Sequence, residues 1–371
     1  MKVLHFFKTY WPDTFGGVER TIHAIASGTA KYSVQSDVLS LSATPAENTV
    51  RFDGHMAHKS KLDFDVASTG FSRSVFAKFA ELSREADLVH YHFPWPMMDL
   101  VHLARHPRKP TILTYHSDIV KQKLLLHLYS PLMHRFLNDV DHIVATSPNY
   151  LETSKVLKSY RGKTSIIPLG LAESDYQEPS MQTVSEIKSR VPERFFLFVG
   201  VLRYYKGLRT LLEAAKQTGL AVVIAGDGPM RDELEAQAEA DNLTNVIFLG
   251  NVSDDEKIAL LDLSTALVFP SQLRSEAFGL SLVEASMRGK PMISCEIGTG
   301  TSYVNRHDIT GYVVQPGNSE ALSQAMLRLA QDESSVHRLG KAARHRYEEN
   351  FTAEKMARSY VDLYGSVLLR K

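Results

Sequence analysis

Short apolar stretches alternate with amphipathic ones along the whole chain, and the alternation runs through twice. In the first half, residues 2–7, 36–41, 88–92, 111–115, 143–146 and 165–169 read as strands. Residues 18–31, 71–86, 97–105, 119–136 and 150–157 carry apolar side chains every three or four positions and read as helices. The second half repeats the scheme, with strands at 195–199, 221–225, 246–249, 266–269, 291–294 and 312–314. Helices are expected there at 208–217, 230–242, 255–263, 280–288 and 320–331. Strands that are apolar throughout are buried on both faces, as in a parallel sheet between helix layers. The expected fold class is therefore α/β, with two doubly wound Rossmann-like domains facing across a cleft. A single large α/β domain is the other arrangement the pattern allows. In such sheets ligands sit outside the carboxyl ends of the strands.

A length of 371 residues suits two domains at roughly 150 residues each. Residues 172–192 are polar, hold Pro179 and Pro192, and lack strong periodicity, so they read as the linker. The expected boundaries are a first domain at 1–171, the linker at 172–192 and a second domain at 193–351. Residues 352–371 form a capped amphipathic helix able to cross back to the first domain.

Charge is balanced overall, with 42 Lys and Arg against 42 Asp and Glu, but it is polarised. Residues 1–170 hold 20 basic against 15 acidic side chains and twelve of the fifteen histidines. This implies an anionic partner for that half, while the excess is too small for a strongly basic nucleic-acid binder. Cys295 stands alone, which excludes an internal disulfide and points to a reducing compartment. No apolar run reaches 18 residues and no signal-type apolar segment opens the chain, so cytoplasmic residence is expected.

Several chemistries drop out on motif order. Gly200 to Gly207 places Lys206 before its glycine, the reverse of a Walker loop. The stretch Gly279 to Val283 lacks the second glycine of a nucleophile elbow. No zinc-type spacing is present, and no Gly-x-Gly-x-x-Gly follows the first strand. Asp63 and Asp65 read as a solvated edge sooner than as a cation site.

The element from Glu276 to Glu284 carries the signal. It starts in the loop after a strand and runs into a helix, whose first amides favour phosphate oxygens. Gly279 allows close backbone approach. The two carboxylates can accept hydrogen bonds from sugar or ribose hydroxyls, or simply favour the positive end of the helix. Arg203 and Lys206, in the loop after the strand at 195–199, offer charge to a diphosphate or are surface cations. Gly16 and Gly17 open the helix after the first strand. His116 follows the strand at 111–115, and His90 and His92 share one strand face.

Taken in order, Gly16-Gly17-Val18-Glu19, His116, Ile167-Pro168-Leu169-Gly170, Arg203 with Lys206-Gly207, Gly226-Asp227-Gly228-Pro229, Phe248-Leu249-Gly250 and Glu276-x7-Glu284 resemble retaining glycosyltransferases of family 4 along nearly the whole chain. The resemblance implies the two-domain GT-B fold, with the first domain binding acceptor and the second binding nucleotide sugar. It implies that Gly16 and Gly17 approach the donor through amides and that His116 contacts the transferred sugar. Arg203 and Lys206 would neutralise the leaving diphosphate, and Glu276 would bind sugar hydroxyls. Amides of Phe278, Gly279 and Leu280 would cradle donor oxygens, Glu284 would hold the ribose, and Gly250 to Val252 would lie near the base. No metal or other cofactor is implied. The sequence departs from the family where Val201, not arginine, follows Gly200.

Stretches such as His90-Tyr91-His92-Phe93-Pro94-Trp95-Pro96 and Tyr115-His116-Ser117-Asp118 also resemble a narrower group that uses GDP-mannose or GDP-D-rhamnose in bacterial O-antigen assembly. That group implies an undecaprenyl-diphosphate-linked saccharide as acceptor, and work at the cytoplasmic face of the inner membrane. A UDP-sugar transferase of the same fold and a sugar-nucleotide epimerase are the alternatives. Residues 119–136 mix Lys121, Lys123, His127, His134 and Arg135 with leucines. They suit peripheral association with an anionic membrane as well as they suit an ordinary core-facing helix.

Overall fold

The structure, a computed structural model, describes residues 1–45, 49–66, 69–119 and 123–370, with side chains left undescribed at 123–125. The chain divides into two units, one of Met1–Gly170 with Ala353–Lys371 and one of Leu171–Thr352.

The first unit contains β1 (Lys2–Phe6), β2 (Gln35–Ser42), β3 (Thr49–Phe52), β4 (His55–Lys61), β5 (Phe64–Val66), β6 (Thr69–Phe71), β7 (Leu88–Phe93), β8 (Thr111–Tyr115), β9 (His142–Ala145) and β10 (Thr164–Ile166). Eight of them form one sheet in the order β10-β9-β8-β7-β1-β2-β4-β3, parallel except for the β3–β4 pair. The order reverses between β1 and β7, where a doubly wound sheet opens its ligand-binding crevice. The Asp53-Gly54 turn joining β3 and β4 has φ of 41° and 84°, the left-handed pair a tight hairpin needs.

The second unit contains β11 (Phe196–Val199), β12 (Val222–Ala225), β13 (Val246–Gly250), β14 (Ala266–Phe269), β15 (Met292–Cys295) and β16 (Gly311–Val314). They form one parallel sheet ordered β13-β12-β11-β14-β15-β16, which reverses between β11 and β14. β11, β12, β14 and β15 are buried at every residue, as the apolar runs require. Leu211, Leu212, Ala215, Leu322, Met326 and Leu329 close one core against Phe198, Ile224 and Val268.

The C-terminal helix, Ala353–Leu368, belongs to the first unit. It buries Met356, Tyr360, Tyr364 and Val367 with Val3, Ile25, Leu88 and Ile112. Each such side chain contributes roughly 1.5–3 kcal/mol of burial.

Two expectations are corrected, and one element was not foreseen. Residues 172–192 are not a free linker but part of the second unit, with a helix at Met181–Arg190. Ser180 caps that helix, Ile187 is buried, and the helix packs on Asp254–Leu263, with Arg190 bonding Glu256 at 2.9 Å. The expected helix at 119–136 is Lys123–Asp139; residues 120–122, with Lys121, lie outside the described residues. The hairpin of β3 and β4 had no counterpart in the strand pattern, because β3 is only four residues long and β4 carries His55, His58, Lys59, Ser60 and Lys61.

Candidate active site

In the second unit, the loops leaving β11 and β14 meet at the point where strand order reverses. The first carries Lys206 at the end of a short turn, Tyr204–Lys206, and the second carries Glu276. Lys206 Nζ donates to Glu276 Oε2 at 2.5 Å, with 11% and 12% of the two side chains exposed. The ammonium also lies 4.5 Å from the ring centroid of Phe269 at the end of β14. Burial and the nearby Glu276 push the Tyr205 hydroxyl up to about 12, so it stays a hydrogen-bond donor.

Gly207 makes the juxtaposition possible. Its φ is +70°, and a Cβ there would stand 2.0 Å from the carbonyl oxygen of Pro270. Gln272 N donates to Tyr205 O at 2.9 Å and ties the two loops further. Arg203 is exposed beside this turn, as is Val201.

Beyond Glu276 the chain enters the helix Leu280–Met287 through Gly279, whose φ of +87° suits glycine. Phe278, just before the helix, is buried. One turn in, Glu284 is 7% exposed. Its Oε1 accepts from Lys257 Nζ at 2.9 Å and from the Tyr176 hydroxyl at 3.1 Å. Burial opposes the charge on Lys257, but Glu284 and Asp254 outweigh it and hold its ammonium above the usual lysine range. Gly250 closes β13 with φ +71°, and Val252 is half-buried just before the Ser253–Glu256 capping box.

In the first unit, the helix Gly17–Ala30 follows β1 and has Gly16 as its cap. Glu19 folds back over this start: a Cβ on Gly16 would lie 2.5 Å from its Oε2. Thr9 and Thr14 donate to Glu19 Oε1 at 2.8 and 2.9 Å. The chain thus supplies a carboxylate of its own at this helix end.

His116 leaves β8 and is 7% exposed. Its Nε2 pairs with His92 Nδ1 at 3.0 Å, and His92 Nε2 pairs with His5 Nδ1 at 3.1 Å. His90 instead bonds Tyr364 and Thr114, at 2.8 and 2.7 Å. Burial pulls His5 and His116 down to about 3 and His90 and His92 well below the usual histidine value. Nitrogens of His5, His90 and His92 lie within 4.8 Å of one another, a spacing that could hold a metal ion. Hydrogen bonds already engage both ring nitrogens of His90 and of His92.

Among the residues singled out in the sequence, Lys206 and Glu276 are brought together, Glu284 lies one helical turn past Gly279, and His92 and His116 join. Asp63 is engaged by the Arg73 backbone at 2.8 Å, beside an exposed hairpin. Sequence reasoning missed Lys257, Tyr176 and His5. Lys257 reads as one more solvated charge in a helical first turn, and His5 as an isolated polar interruption of a strand.

The chain is thus two doubly wound units, the second with a buried Lys206–Glu276 pair at its switch point. Residues 182–346 match the description Glycosyl transferases group 1, and residues 15–174 match Glycosyltransferase Family 4. The chain is 53% identical to the D-rhamnosyltransferase WbpZ of Pseudomonas aeruginosa, over 95% of this chain and 93% of that one. It is 46% identical to the O-antigen chain mannosyltransferase C of Escherichia coli, over 100% of both chains. The solved structure of a sucrose-phosphate synthase from Thermosynechococcus elongatus has the same fold, with a TM-score of 0.82, 21% identity and 100% of both chains covered. The chain belongs to the family 4 glycosyltransferases and has the GT-B fold. Enzymes of this fold typically take a nucleotide sugar as donor. Among the described residues, no helix is long and apolar enough to cross a membrane.

Proposed function

We propose that this glycosyltransferase moves a mannosyl-type sugar, mannose or D-rhamnose, from a GDP-sugar to a polyprenyl-diphosphate-linked saccharide in O-antigen assembly. The observation that carries the reading is the Lys206–Glu276 pair at the switch point of the second sheet. It sets a cation for phosphate beside a carboxylate for sugar hydroxyls. The names of the two full-length relatives support the sugar and the polymer.

In the proposed reaction the bond from the anomeric carbon to the diphosphate breaks. The acceptor hydroxyl attacks from the same face, and its proton goes to the departing phosphate oxygen. Configuration is retained, and neither a metal nor a protein nucleophile takes part. Lys206 and Arg203 neutralise the charge growing on the diphosphate, helped by amides of Phe278, Gly279 and Leu280. Glu276 orients the sugar hydroxyls, Glu284 holds the ribose, and Gly250 to Val252 lie near the base. Gly16 and Gly17 approach the donor, and His116 contacts the transferred sugar.

The enzyme works as a peripheral protein at the cytoplasmic face of the inner membrane. Exposed Leu128 and His127 on one helix, with exposed Arg105 and Arg108 after another, support that placement. Sedimentation with anionic liposomes at low salt tests it; a protein left in the supernatant rules it out.

The test of the reaction is a transfer assay with GDP-mannose, GDP-D-rhamnose and UDP-glucose, a polyprenyl-diphosphate saccharide and a chelator. Transfer from a GDP-sugar, unaffected by chelator and with the anomeric configuration kept, is expected. Preference for UDP-glucose overturns the donor assignment. Epimerised product without acceptor overturns the transferase reading of the site.

A further inference from the structure

His5, His92 and His116 come from three neighbouring parallel strands, or from the end of one, and form a continuous row. The rings lie close to parallel: His5 and His92 at 25°, His92 and His116 at 20°. Each link in the row, 3.1 and 3.0 Å long, needs one N–H and one lone pair. Three neutral imidazoles hold three N–H groups, and two of these occupy the links. The third must lie at one end of the row, on His5 Nε2 or on His116 Nδ1.

The two ends are not equivalent. His5 is 0% exposed, and its Nε2 is buried without a hydrogen-bond partner. A proton there would be an orphaned buried N–H, which folded proteins avoid more strictly than an unpaired acceptor. His116 is 7% exposed where His5 and His92 are at 0%, so its end of the row is the one nearer the surface. We propose that His5 and His92 are positioning residues that lock His116 as the Nδ1–H tautomer, so that it meets substrate as a hydrogen-bond donor and not as a base. The bonds then run from His5 Nδ1–H to His92 Nε2, and from His92 Nδ1–H to His116 Nε2.

The surroundings keep the row neutral. Burial lowers all three histidines, and the charges near His5 are His55, which lowers it further, and Asp37, which raises it. His90 stacks on His92 with centroids 4.4 Å apart, but its own nitrogens are spent on Thr114 and Tyr364. To reverse its polarity and stay neutral, the row must pass both linking protons across, give up the proton on His116 Nδ1 and take one up at His5 Nε2, where it would be a stranded N–H. An N–H fixed at His116 Nδ1 suits a sugar hydroxyl or ring oxygen and leaves the acceptor's proton to the departing diphosphate. The inference rests on the reading of His116 as the contact to the transferred sugar.

The experiment is a long-range proton–nitrogen spectrum of the full chain labelled with nitrogen-15 histidine at neutral pH, with His116 assigned through His116→Ala. A protonated Nδ1 and a bare Nε2 on His116 are expected. A proton on Nε2 overturns the proposal. His5 does not touch His116, so His5→Phe is the sharper probe. It is expected to release His116 into both tautomers and to lower kcat about tenfold, the worth of one oriented hydrogen bond, with donor KM unchanged. His5→Asn, whose amide nitrogen takes the place of Nδ1, is expected to restore both readouts. An unchanged His116 tautomer in folded His5→Phe overturns the proposal. If the wild-type tautomer is as stated but His116→Ala keeps full kcat, the row stands and the sugar-contact reading of His116 falls.

Discussion

Lys206 Nζ and Glu276 Oε2 stand 2.5 Å apart although 70 residues separate them in the chain. The distance is set by two loops that leave adjacent parallel strands, β11 and β14, at the same end of the sheet. Both side chains are about nine-tenths removed from solvent. Removing one partner of such a pair leaves the other buried without a counter-charge, which costs more than the pair itself contributes.

Lys206→Ala is therefore expected to act twice. Loss of a preorganised cation at the departing phosphate lowers kcat by about 10²–10³. Leaving Glu276 alone also lowers Tm. The double variant Lys206→Ala with Glu276→Gln is expected to regain most of the Tm but none of the kcat. Steady-state kinetics and thermal unfolding separate the two effects. A kcat equal to that of the wild type removes Lys206 from the reaction.

Gly207→Ala tests the loop contact that presents Lys206. The new methyl would meet the Pro270 carbonyl at 2.0 Å, backbone against backbone, so one loop must move. Gly219 has nearly the same φ, +68°, but nothing lies within 4 Å of its Cβ position. Gly219→Ala is expected to cost about 1 kcal/mol of stability and no activity, since only backbone conformation is at stake. Gly207→Ala is expected to cost more than that and to lower kcat. Equal effects in the two variants would show that the Pro270 contact is slack.

Glu284 is expected to depend on Lys257 for its counter-charge. Lys257→Met keeps the length of the side chain but strips the cation from a buried carboxylate, at a cost of about 3–5 kcal/mol. The pH dependence follows from the direction of the Lys257 shift. Its folded value is raised, so its contribution is complete below the unfolded value and is lost only as pH climbs through the folded one. The stability that Lys257 contributes is therefore complete across the neutral range. Urea unfolding of wild type and Lys257→Met at several pH values measures it, and a difference that vanishes near neutrality rules the ion pair out as a stabilising element.

Much of this architecture is legible in the residue pattern because buried parallel strands must be apolar throughout and their helices must be amphipathic. The elements that escaped are those where these rules are locally broken. Residues 181–190 form a helix whose burial rests mainly on Ile187, too little for a periodic signal. β4 is mostly buried yet reads as polar, because Lys59 is tied inside by Asp13, Ser40 and the Tyr10 carbonyl. The same limit applies to the site. Glu276 and Glu284 are visible through their spacing, whereas Lys257 and Tyr176 reach Glu284 from 27 and 108 residues away. His5 gains meaning only from the register that sets β1 beside β7.

The buried histidines make acid the natural denaturant of the first unit. His5 and His116 are lowered to about 3 in the folded chain, and His90 and His92 lie well below the usual value. In the unfolded chain each titrates near about 6.5. Between those limits the unfolded state binds protons that the folded state refuses, so stability falls as pH falls. Each group contributes about 1.4 kcal/mol per pH unit. Asp99 works the other way: burial raises it well above the usual carboxylate value, so the folded state holds a proton the unfolded state releases. The net of these five groups is about three protons, or roughly 4 kcal/mol per pH unit, against a total stability of about 5–15 kcal/mol, and His55, His102 and His142, also lowered by burial, act in the same direction. The first unit is thus expected to unfold within about one to three pH units below 6.5. The chain has two tryptophans, Trp11 and Trp95, and both belong to the first unit, so their fluorescence reports that unit alone. Melting followed by tryptophan fluorescence from pH 8 down to pH 5 should show Tm falling steeply below about 6.5, and His90→Phe should make the fall shallower by about one proton. A Tm that stays level down to pH 5 would mean that the folded chain takes up protons at these rings as readily as the unfolded chain does.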